Sequence, residues 1–316
     1  MITSIRINCV GMSAIGSLLS GGVSAFPRNA VGFMHLLERK LNHQNLSIGS
    51  NRKVAVGVEN YFIHQGEKNC STPKMSLSKP WIGHNQQEIS VLDYEWKCNA
   101  TITLLIKSSG TFETDAVRTA LISIIPSLRF ANGSIFVKNN FLQIIDGNDD
   151  ESLLSSIKSI KALRASFITC RSDLIVENEE INSLIDALSL FKVSDNNNQS
   201  SENSSEASIE SSKNANDSTS SLVESQNRSN KQQWEKKEDF GGWIIPIERG
   251  YYAVSKPIIN PLGVRNPTVP AIIATPTISL GQFVSYKNMI NDQLKAFWYS
   301  SSNRESGYYL FNANPF

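Results

Sequence analysis

Apolar positions along the first third of the chain follow short, regular periods. Residues 2–10 are dense in branched apolar side chains and are typical of a strand. Residues 27–42 open on a proline and repeat apolar residues every three or four positions, which predicts an amphipathic helix. In residues 53–64, valines alternate with other residues, which predicts a second strand, and Gly57 inside it indicates a bulge.

The next segments continue the alternation of strands and helices. Residues 92–107 are extended, residues 111–125 are helical up to Pro126, and a turn over residues 127–134 precedes a strand at 135–137. A helix over 151–162 and a strand over 165–169 follow. The succession strand, helix, strand, strand, helix, strand predicts an α+β fold compatible with a ferredoxin-like unit, whose open sheet face often binds RNA.

Composition changes abruptly in the last third. A short amphipathic helix over 181–191 precedes residues 194–233, which are about half Ser and Asn. So few apolar side chains cannot compensate the entropy of ordering, and this segment is predicted to be disordered. Residues from 234 onward are again rich in aromatic and branched side chains, and residues 287–299 are predicted to form a helix. The predicted organisation is therefore 1–193, a linker at 194–233, and a C-terminal part at 234–316.

Charge does not mark a strong polyanion binder. The 316 residues carry a formal net charge of +1. Residues 194–233 hold six acidic and three basic side chains, so the remainder is mildly basic, near +4. Any RNA contact must therefore come from a local cluster of basic side chains.

The cysteines and the apolar runs favour a cytoplasmic protein outside the membrane. The four cysteines form no C-x-x-C pair, which favours free thiols in a reducing compartment. Arg6 and Asn8 interrupt the apolar N-terminus, and no run approaches the ~18 apolar residues of a membrane span. N-x-S/T sequons, such as those at Asn45 and Asn99, leave a secreted glycoprotein as an alternative.

No catalytic or cofactor motif emerges from the sequence. The four histidines have no metal-ligand spacing, and neither a phosphate-binding loop nor a nucleophile elbow is present. We therefore predict no enzyme activity, no metal and no cofactor. The alternative is an RNA-cleaving enzyme in which His35, on the first helix, acts as general base.

Three motifs in the final third carry a family resemblance. Residues 242–255, GWIIPIERGYYAVS, are followed by GVRN at 263–266 and SLGQFVS at 279–285. In this order and spacing they resemble the signatures of the second Csy subunit of type I-F CRISPR surveillance complexes. Upstream, GFMHLLER at 32–39 and RFANGSI at 129–135 resemble the same family, with Asn132 replacing a glycine. Asn tolerates left-handed backbone better than most residues, so the turn can persist.

The resemblance implies both a fold and a function. Members have a ferredoxin-like (RRM/RAMP) palm with a thumb-like added element. They bind the 5′ handle of the CRISPR RNA without cutting it, and they dock the large subunit beside the backbone subunits, with proximity to target DNA left open. A repeat-processing endoribonuclease of the same superfamily, with His35 as base, is the alternative.

The candidate RNA contacts are mainly basic residues and small residues that lie next to flexible backbone. The alternative for each arginine is a surface ion pair. Trp81 could stack on a base, but a tryptophan after a proline is more often a core residue. Trp243, Tyr251 and Trp298 lie in apolar motifs and are predicted to pack in the core. The candidates are Arg265, Asn266, Arg249, Arg129, Asn132 and Gly133, followed by Lys74, Lys79 and Trp81.

Overall fold

A computed structural model gives the fold. It describes residues 1–13, 24–64, 75–78, 93–110, 113–145, 164–188, 191–194, 233–236, 243–261, 266, 268–303 and 305–315. The chain divides into two compact units. The first consists of Met1–Leu188 with Phe240–Phe316, and the second is Ser189–Asp239. The predicted helix at 151–162 lies outside the described residues.

The chain begins with strand β1 (Ile2–Met12) and helix α1 (Phe26–Asn42), which confirms the first strand and helix of the sequence prediction. Pro27 lies in the first turn of α1, where its missing N–H costs no hydrogen bond. Arg39 and Lys40 lie in the last turn and complement the helix dipole. One face of α1 is buried against the sheet, as its apolar period requires.

Four strands follow, and they include both predicted extended stretches. They are β2 (Ser50–Ile63), β3 (Met75–Ser78), β4 (Asp93–Trp96) and β5 (Cys98–Ser109). The stretch predicted at 92–107 is divided at Lys97, because β4 pairs with β3 whereas β5 lies between β1 and β2. Both neighbours of β5 are antiparallel to it.

The second helix was also predicted. Helix α2 (Thr114–Ile124) runs into a 3-10 turn at Ile125–Ser127, which contains the terminating Pro126. It is followed by β6 (Arg129–Phe130), β7 (Gly133–Phe136) and β8 (Leu142–Ile145). The strand at β7 was predicted, whereas β6 lies in the predicted turn and β8 was not predicted. Strand β9 (Ser166–Cys170) confirms the strand predicted at 165–169.

Helix α3 (Glu180–Leu188) ends before Phe191, where the sequence placed its last residue. Phe191 instead begins β10 (Phe191–Ser194), which pairs with β11 (Gln233–Lys236) in the second compact unit. Residues 195–232 of the predicted disordered linker lie outside the described residues.

The C-terminal part is mostly extended, and here one prediction is wrong. Its elements are β12 (Trp243–Ala253), β13 (Ala274–Ser285), helix α4 (Tyr286–Asn291), β14 (Phe297–Asn303) and β15 (Tyr308–Asn314). The helix predicted over 287–299 stops at Asn291, and the aromatic residues at its predicted end form β14. Pairing with β15 buries Phe297 and Trp298, which outweighs their local helical pattern.

Eleven of the described strands form one large antiparallel sheet, so the protein is mixed α/β. The strand order is β14-β15-β12-β13-β9-β2-β5-β1-β7-β6, with β8 paired to β1. Strand β14 also pairs with β2 at Trp298 and Val54, so β2, β9, β13, β12, β15 and β14 close into a ring. Trp298 is fully buried, as predicted, and its indole N–H donates to the Ile168 carbonyl at 3.0 Å.

The sheet is covered differently on its two faces. Helices α1 and α2 pack on one face over Ile5, Ile7 and Ile102. On the opposite face, α4 and its neighbours in the described part of the chain cover the end that contains Ile2, Ala55 and Leu105. The remaining part of that second face is formed by β7, β1, β5 and β2, at the end of these strands away from α4. We call it the open face.

Gly57 does not form the bulge that the sequence suggested. It pairs in regular register with Thr103, and the register of β2 shifts instead between Ser50 and Lys53 and between Glu59 and Phe62. A Cβ at Gly57 would lie 2.7 Å from the Cβ of Ala165. The glycine is needed because β9 and the residue before it approach β2 closely.

Candidate nucleic-acid interface

Antiparallel register brings four distant residues into one row across the open face. Phe136 of β7 lies opposite Asn8 of β1, Asn8 opposite Thr101 of β5, and Thr101 opposite Glu59 of β2. Directly opposed residues of an antiparallel pair project to the same side. This row therefore crosses the four strands on the face opposite α1 and α2. Phe136 is exposed and Asn8 is half-buried, whereas Thr101 and Glu59 are buried.

Large apolar side chains are exposed around this row. Phe136 is 57% exposed, Phe62 is 54% exposed and Val10 is 45% exposed. Phe62 lies opposite Asn99 at the end of β2, whereas Val10 lies opposite Ser134 of β7. The two phenyl rings thus lie on the outer strands of the four, with polar residues between them. Exposed aromatic rings on a sheet are suitable platforms for unpaired bases.

The centre of the open face is polar and internally satisfied. The Arg6 guanidinium donates to both carboxylate oxygens of Glu59, at 3.1 and 2.7 Å, and this hydrogen bonding raises the pKa of Arg6. The Thr103 hydroxyl donates to the same carboxylate, and the Thr101 hydroxyl donates to the Asn8 amide oxygen at 2.9 Å. The charge of Arg6 is therefore balanced locally and does not act as a free phosphate-binding cation.

The β6–β7 hairpin supplies a further cation to this face. Arg129 lies opposite Ser134, on the side of Phe136 and Val10, and it is exposed. The turn after it has positive φ at Ala131 and Asn132, 48° and 65°, so asparagine accepts the left-handed backbone as predicted.

Gly133 closes the same hairpin onto β1. A Cβ at this position would lie 2.7 Å from Met12 Cγ and 2.9 Å from the Val10 carbonyl oxygen. The glycine therefore permits close contact between the hairpin and β1, which positions Arg129. Three of the predicted site residues, Arg129, Asn132 and Gly133, are brought together here.

Arg249 is the other candidate arginine among the described residues, and it does not lie near the β6–β7 hairpin in the order of strands. Arg249 is in β12, and β13, β9, β2, β5, β1 and β7 separate that strand from β6. It is half-buried, and its guanidinium donates to Asn312 at 3.5 Å. Arg265, Lys74, Lys79 and Trp81 lie outside the described residues.

Asn266 belongs to an apolar extension of the β12–β13 hairpin, which we call the arm (described residues 254–261, 266 and 268–273). Asn266 is exposed, and its side-chain oxygen accepts from the backbone and hydroxyl of Thr268 at 3.1 and 2.7 Å, so the oxygen stabilises a turn. Backbone pairing between Ile258 and Ala271 holds the two sides together. The arm exposes Val254, Ile258, Ile259, Val269, Ile272 and Ile273.

Tyr251 combines packing with hydrogen bonding. Its ring packs edge-to-face on Phe311, with centroids 6.3 Å apart, as expected of a core residue. Its hydroxyl also accepts a hydrogen bond from Arg28 at 2.9 Å, which the sequence did not indicate. The side chain of Trp243 lies outside the described part of the chain.

His35 lies on α1, which packs against the face opposite the open face. Burial lowers the pKa of His35, and its charged neighbours are Glu38, Arg52 and Arg39, of which Glu38 and Arg52 pair with each other. Nothing in this arrangement brings His35 to the open face. Among the described residues, no group of three or more His, Cys, Asp and Glu side chains could hold a metal ion. The described cysteines Cys9, Cys98 and Cys170 are buried and form no disulfide with one another.

Phe136, Phe62, Val10, Asn8 and Arg6 were not identified from the sequence. In β7 the signal was an aromatic residue on the polar side of an alternating strand, since Ile135 is buried whereas Ser134 and Phe136 are exposed. The positions of Phe62 and Val10 depend on strand register, which short-range patterns do not give.

Comparison with known proteins agrees with the motifs. The family model described as CRISPR-associated protein (Cas_Csy2) matches residues 2–311. No curated protein matches the sequence significantly. In the described residues, no helix has the length and hydropathy needed to cross a membrane. The match spans the strands of the open face, the β6–β7 hairpin and the arm together. The chain therefore belongs to the Cas_Csy2 family, the second Csy subunit of type I-F CRISPR systems.

Proposed function

We propose that this chain is a non-catalytic, cytoplasmic RNA-binding subunit of the type I-F surveillance complex that holds the 5′ handle of the CRISPR RNA. The observation that carries the proposal is the open face, where two exposed phenylalanines flank a polar row and Arg129 lies at the edge. Such a face suits single-stranded RNA, because bases stack on the rings while the cation contacts the backbone.

The topology supports a ferredoxin-like palm. Strands β7, β1, β5 and β2 are neighbours in that order, α1 connects β1 to β2, and α2 precedes β6 and β7. A strand–helix–strand–strand–helix–strand order with all neighbours antiparallel is that of the ferredoxin-like unit. In this interpretation, β3 and β4 are an insertion between its second and third strands, and the arm is a thumb-like element.

The arm is suited to a protein partner, which we propose is the large subunit. Its exposed side chains are mostly branched and apolar, and Lys256 is the only ionisable one among its described residues. RNA phosphates would require more cations, whereas an apolar protein surface gains from burying these side chains. RNA on the open face and protein on the arm make separate contacts with the complex.

The test is assembly of the complex around this chain. We expect the chain, expressed with its CRISPR RNA and partner subunits, to co-purify with intact RNA. Replacing both Phe62 and Phe136 with alanine should release the handle, whereas Ile122→Ala, an exposed residue of α2, should not. RNA cleavage by the pure chain, or handle protection that is unchanged in the double variant, would contradict the proposal.

A further inference from the structure

A cavity of about 520 Å³ lies on the face of the sheet opposite the open face, beside the end of β2 and the start of α1. Its lining includes Phe26, Tyr61 and Phe283 as aromatic walls, with Ser24, Asn60 and Ser166 among them. The volume is within the ~300–1,000 Å³ typical of small-molecule sites. Strands β2, β9, β13 and β12 all contribute to the lining, so the cavity lies beside the ring of six strands.

The lining is mostly apolar and carries no charged side chain among the described residues. All ten of the described lining residues have neutral side chains at pH 7, and burial raises the pKa of Tyr61, so its hydroxyl remains protonated. A phosphate, a carboxylate or an ammonium group would enter such a space without a counter-charge, which is unfavourable. The cavity therefore suits a neutral, largely planar group.

Ser24 provides the polar feature that a ligand would satisfy. It is 6% exposed, and its Oγ is buried with no hydrogen-bond partner among the described residues. Its backbone is held in place, since its N–H donates to the Pro246 carbonyl and its carbonyl accepts from Glu248 N–H, both at 2.9 Å. A buried hydroxyl without a partner costs free energy, which a ligand with an edge of donors and acceptors recovers once rotation of the Ser24 side chain turns Oγ into the cavity.

Adjacent residues of β2 belong to the cavity and to the open face. The register of β2 shifts between Glu59 and Phe62, and Asn60 has φ of 49°. Across this bulge, Tyr61 lines the cavity whereas Phe62 is exposed on the open face. The residue that lines the cavity and the aromatic residue of the open face are therefore neighbours in the chain, on opposite sides of the same end of β2.

We propose that this cavity binds one unpaired nucleobase of the bound RNA, inserted between aromatic walls with its edge toward Ser24. The inference rests on the proposed RNA-binding function. A nucleobase is neutral and planar, stacks on aromatic rings, and has donors and acceptors along its edges. An aliphatic side chain from a protein partner would fill the space but would leave Ser24 Oγ unpaired.

The experiment uses complexes assembled on RNAs that carry 2-aminopurine at one handle position at a time. We expect the fluorescence of one position to respond to Ser166→Tyr, which places a ring in the cavity from an exposed strand position. Affinity of the full-length chain for handle RNA should fall roughly 5- to 100-fold, the range of one lost stacking contact. Ser24→Ala should weaken binding about 2- to 10-fold, as expected for one hydrogen bond.

The control is Thr275→Tyr, at an exposed position of β13 that is not in the lining. If wild-type chain binds RNA but no position responds and neither cavity variant changes affinity, the cavity proposal is wrong while RNA binding stands. If Ser166→Tyr retains RNA but loses a partner subunit, the occupant is protein and the cavity proposal is overturned. If the wild-type chain and its complex bind no RNA, both proposals fall.

Discussion

Arg28 and Glu248, 220 residues apart in the chain, form an ion pair of 2.8 Å between the first turn of α1 and strand β12. The same guanidinium donates to the Tyr251 hydroxyl at 2.9 Å. Burial, and after it the hydrogen bond to Glu248, raise the pKa of Tyr251, so the phenol remains neutral. This cluster joins the N-terminal half of the fold to the strands that carry the arm.

Removal of Arg28 should destabilise the folded chain. The Glu248 side chain is only 10% exposed, so Arg28→Met would leave a buried carboxylate without its cation. Because Arg28 itself is 38% exposed, solvent weakens the pair, and we expect a loss of about 1–3 kcal/mol in urea unfolding. Adding Glu248→Gln to Arg28→Met should recover part of the loss.

The matched control is the exposed pair of Arg118 and Asp115 on α2. Arg118→Met should change the free energy of unfolding by less than about 0.5 kcal/mol, because both partners are well hydrated. Equal effects of the two arginine substitutions would show that the cluster at Arg28 has no special role in stability.

Trp298 should be the most sensitive position of the strand ring. Trp298→Phe removes the hydrogen bond to the Ile168 carbonyl and leaves a void in a fully buried site. We expect a loss of about 2–4 kcal/mol, measured by chemical denaturation. Tyr299→Phe, at the next position, keeps its ring near Lys53 and should cost less than about 1 kcal/mol. A Trp298→Phe variant as stable as wild type would contradict the inferred packing.

Substitutions on the open face should separate the contribution of base stacking to RNA binding from that of charge. Phe136→Ala should weaken RNA binding by about 1–3 kcal/mol without lowering stability much, because the ring is largely exposed. Arg129→Gln should weaken binding less at high salt than at low salt and reduce the salt slope by about one. Binding titrations at several salt concentrations distinguish the two effects, and identical salt slopes for all variants would argue against a phosphate contact at Arg129.

His35 should make stability depend on pH. Its pKa in the folded chain is lower than its ordinary value of 6.5, so the unfolded chain binds the proton more readily. The stabilising contribution is therefore present above pH 6.5 and is lost as the pH falls from there toward the folded pKa. Melting temperatures of wild type and His35→Gln should differ in slope between about pH 7 and pH 5, and parallel curves would refute this assignment.

Several elements followed from local patterns. The periods of α1, β1 and β5 arise from side chains within a few residues of one another, so they were predictable. The strand at Phe297 was not, because its pairing with β15 lies outside any short window. Similarly, Gly57 permits close approach of β9, a segment more than a hundred residues away.

The candidate site likewise contains residues that a local motif indicated and residues that only strand register brings together. Residues 129–135 carried a recognisable motif, and the structure places Arg129, Asn132 and Gly133 in one hairpin. Nothing local indicated that Phe136, Asn8, Thr101 and Glu59 share a row, since register between distant strands decides it.

The amino-acid sequence by itself determined the family of the chain and the type of most elements, because motif residues and periodicity are properties of short segments. The tertiary structure alone decided which side chains form the open face, how Arg28 meets Glu248 and where the cavity lies. These features arise from contacts between segments that are far apart in the chain, and such contacts form only when burial of apolar surface compensates the entropy of closing long loops.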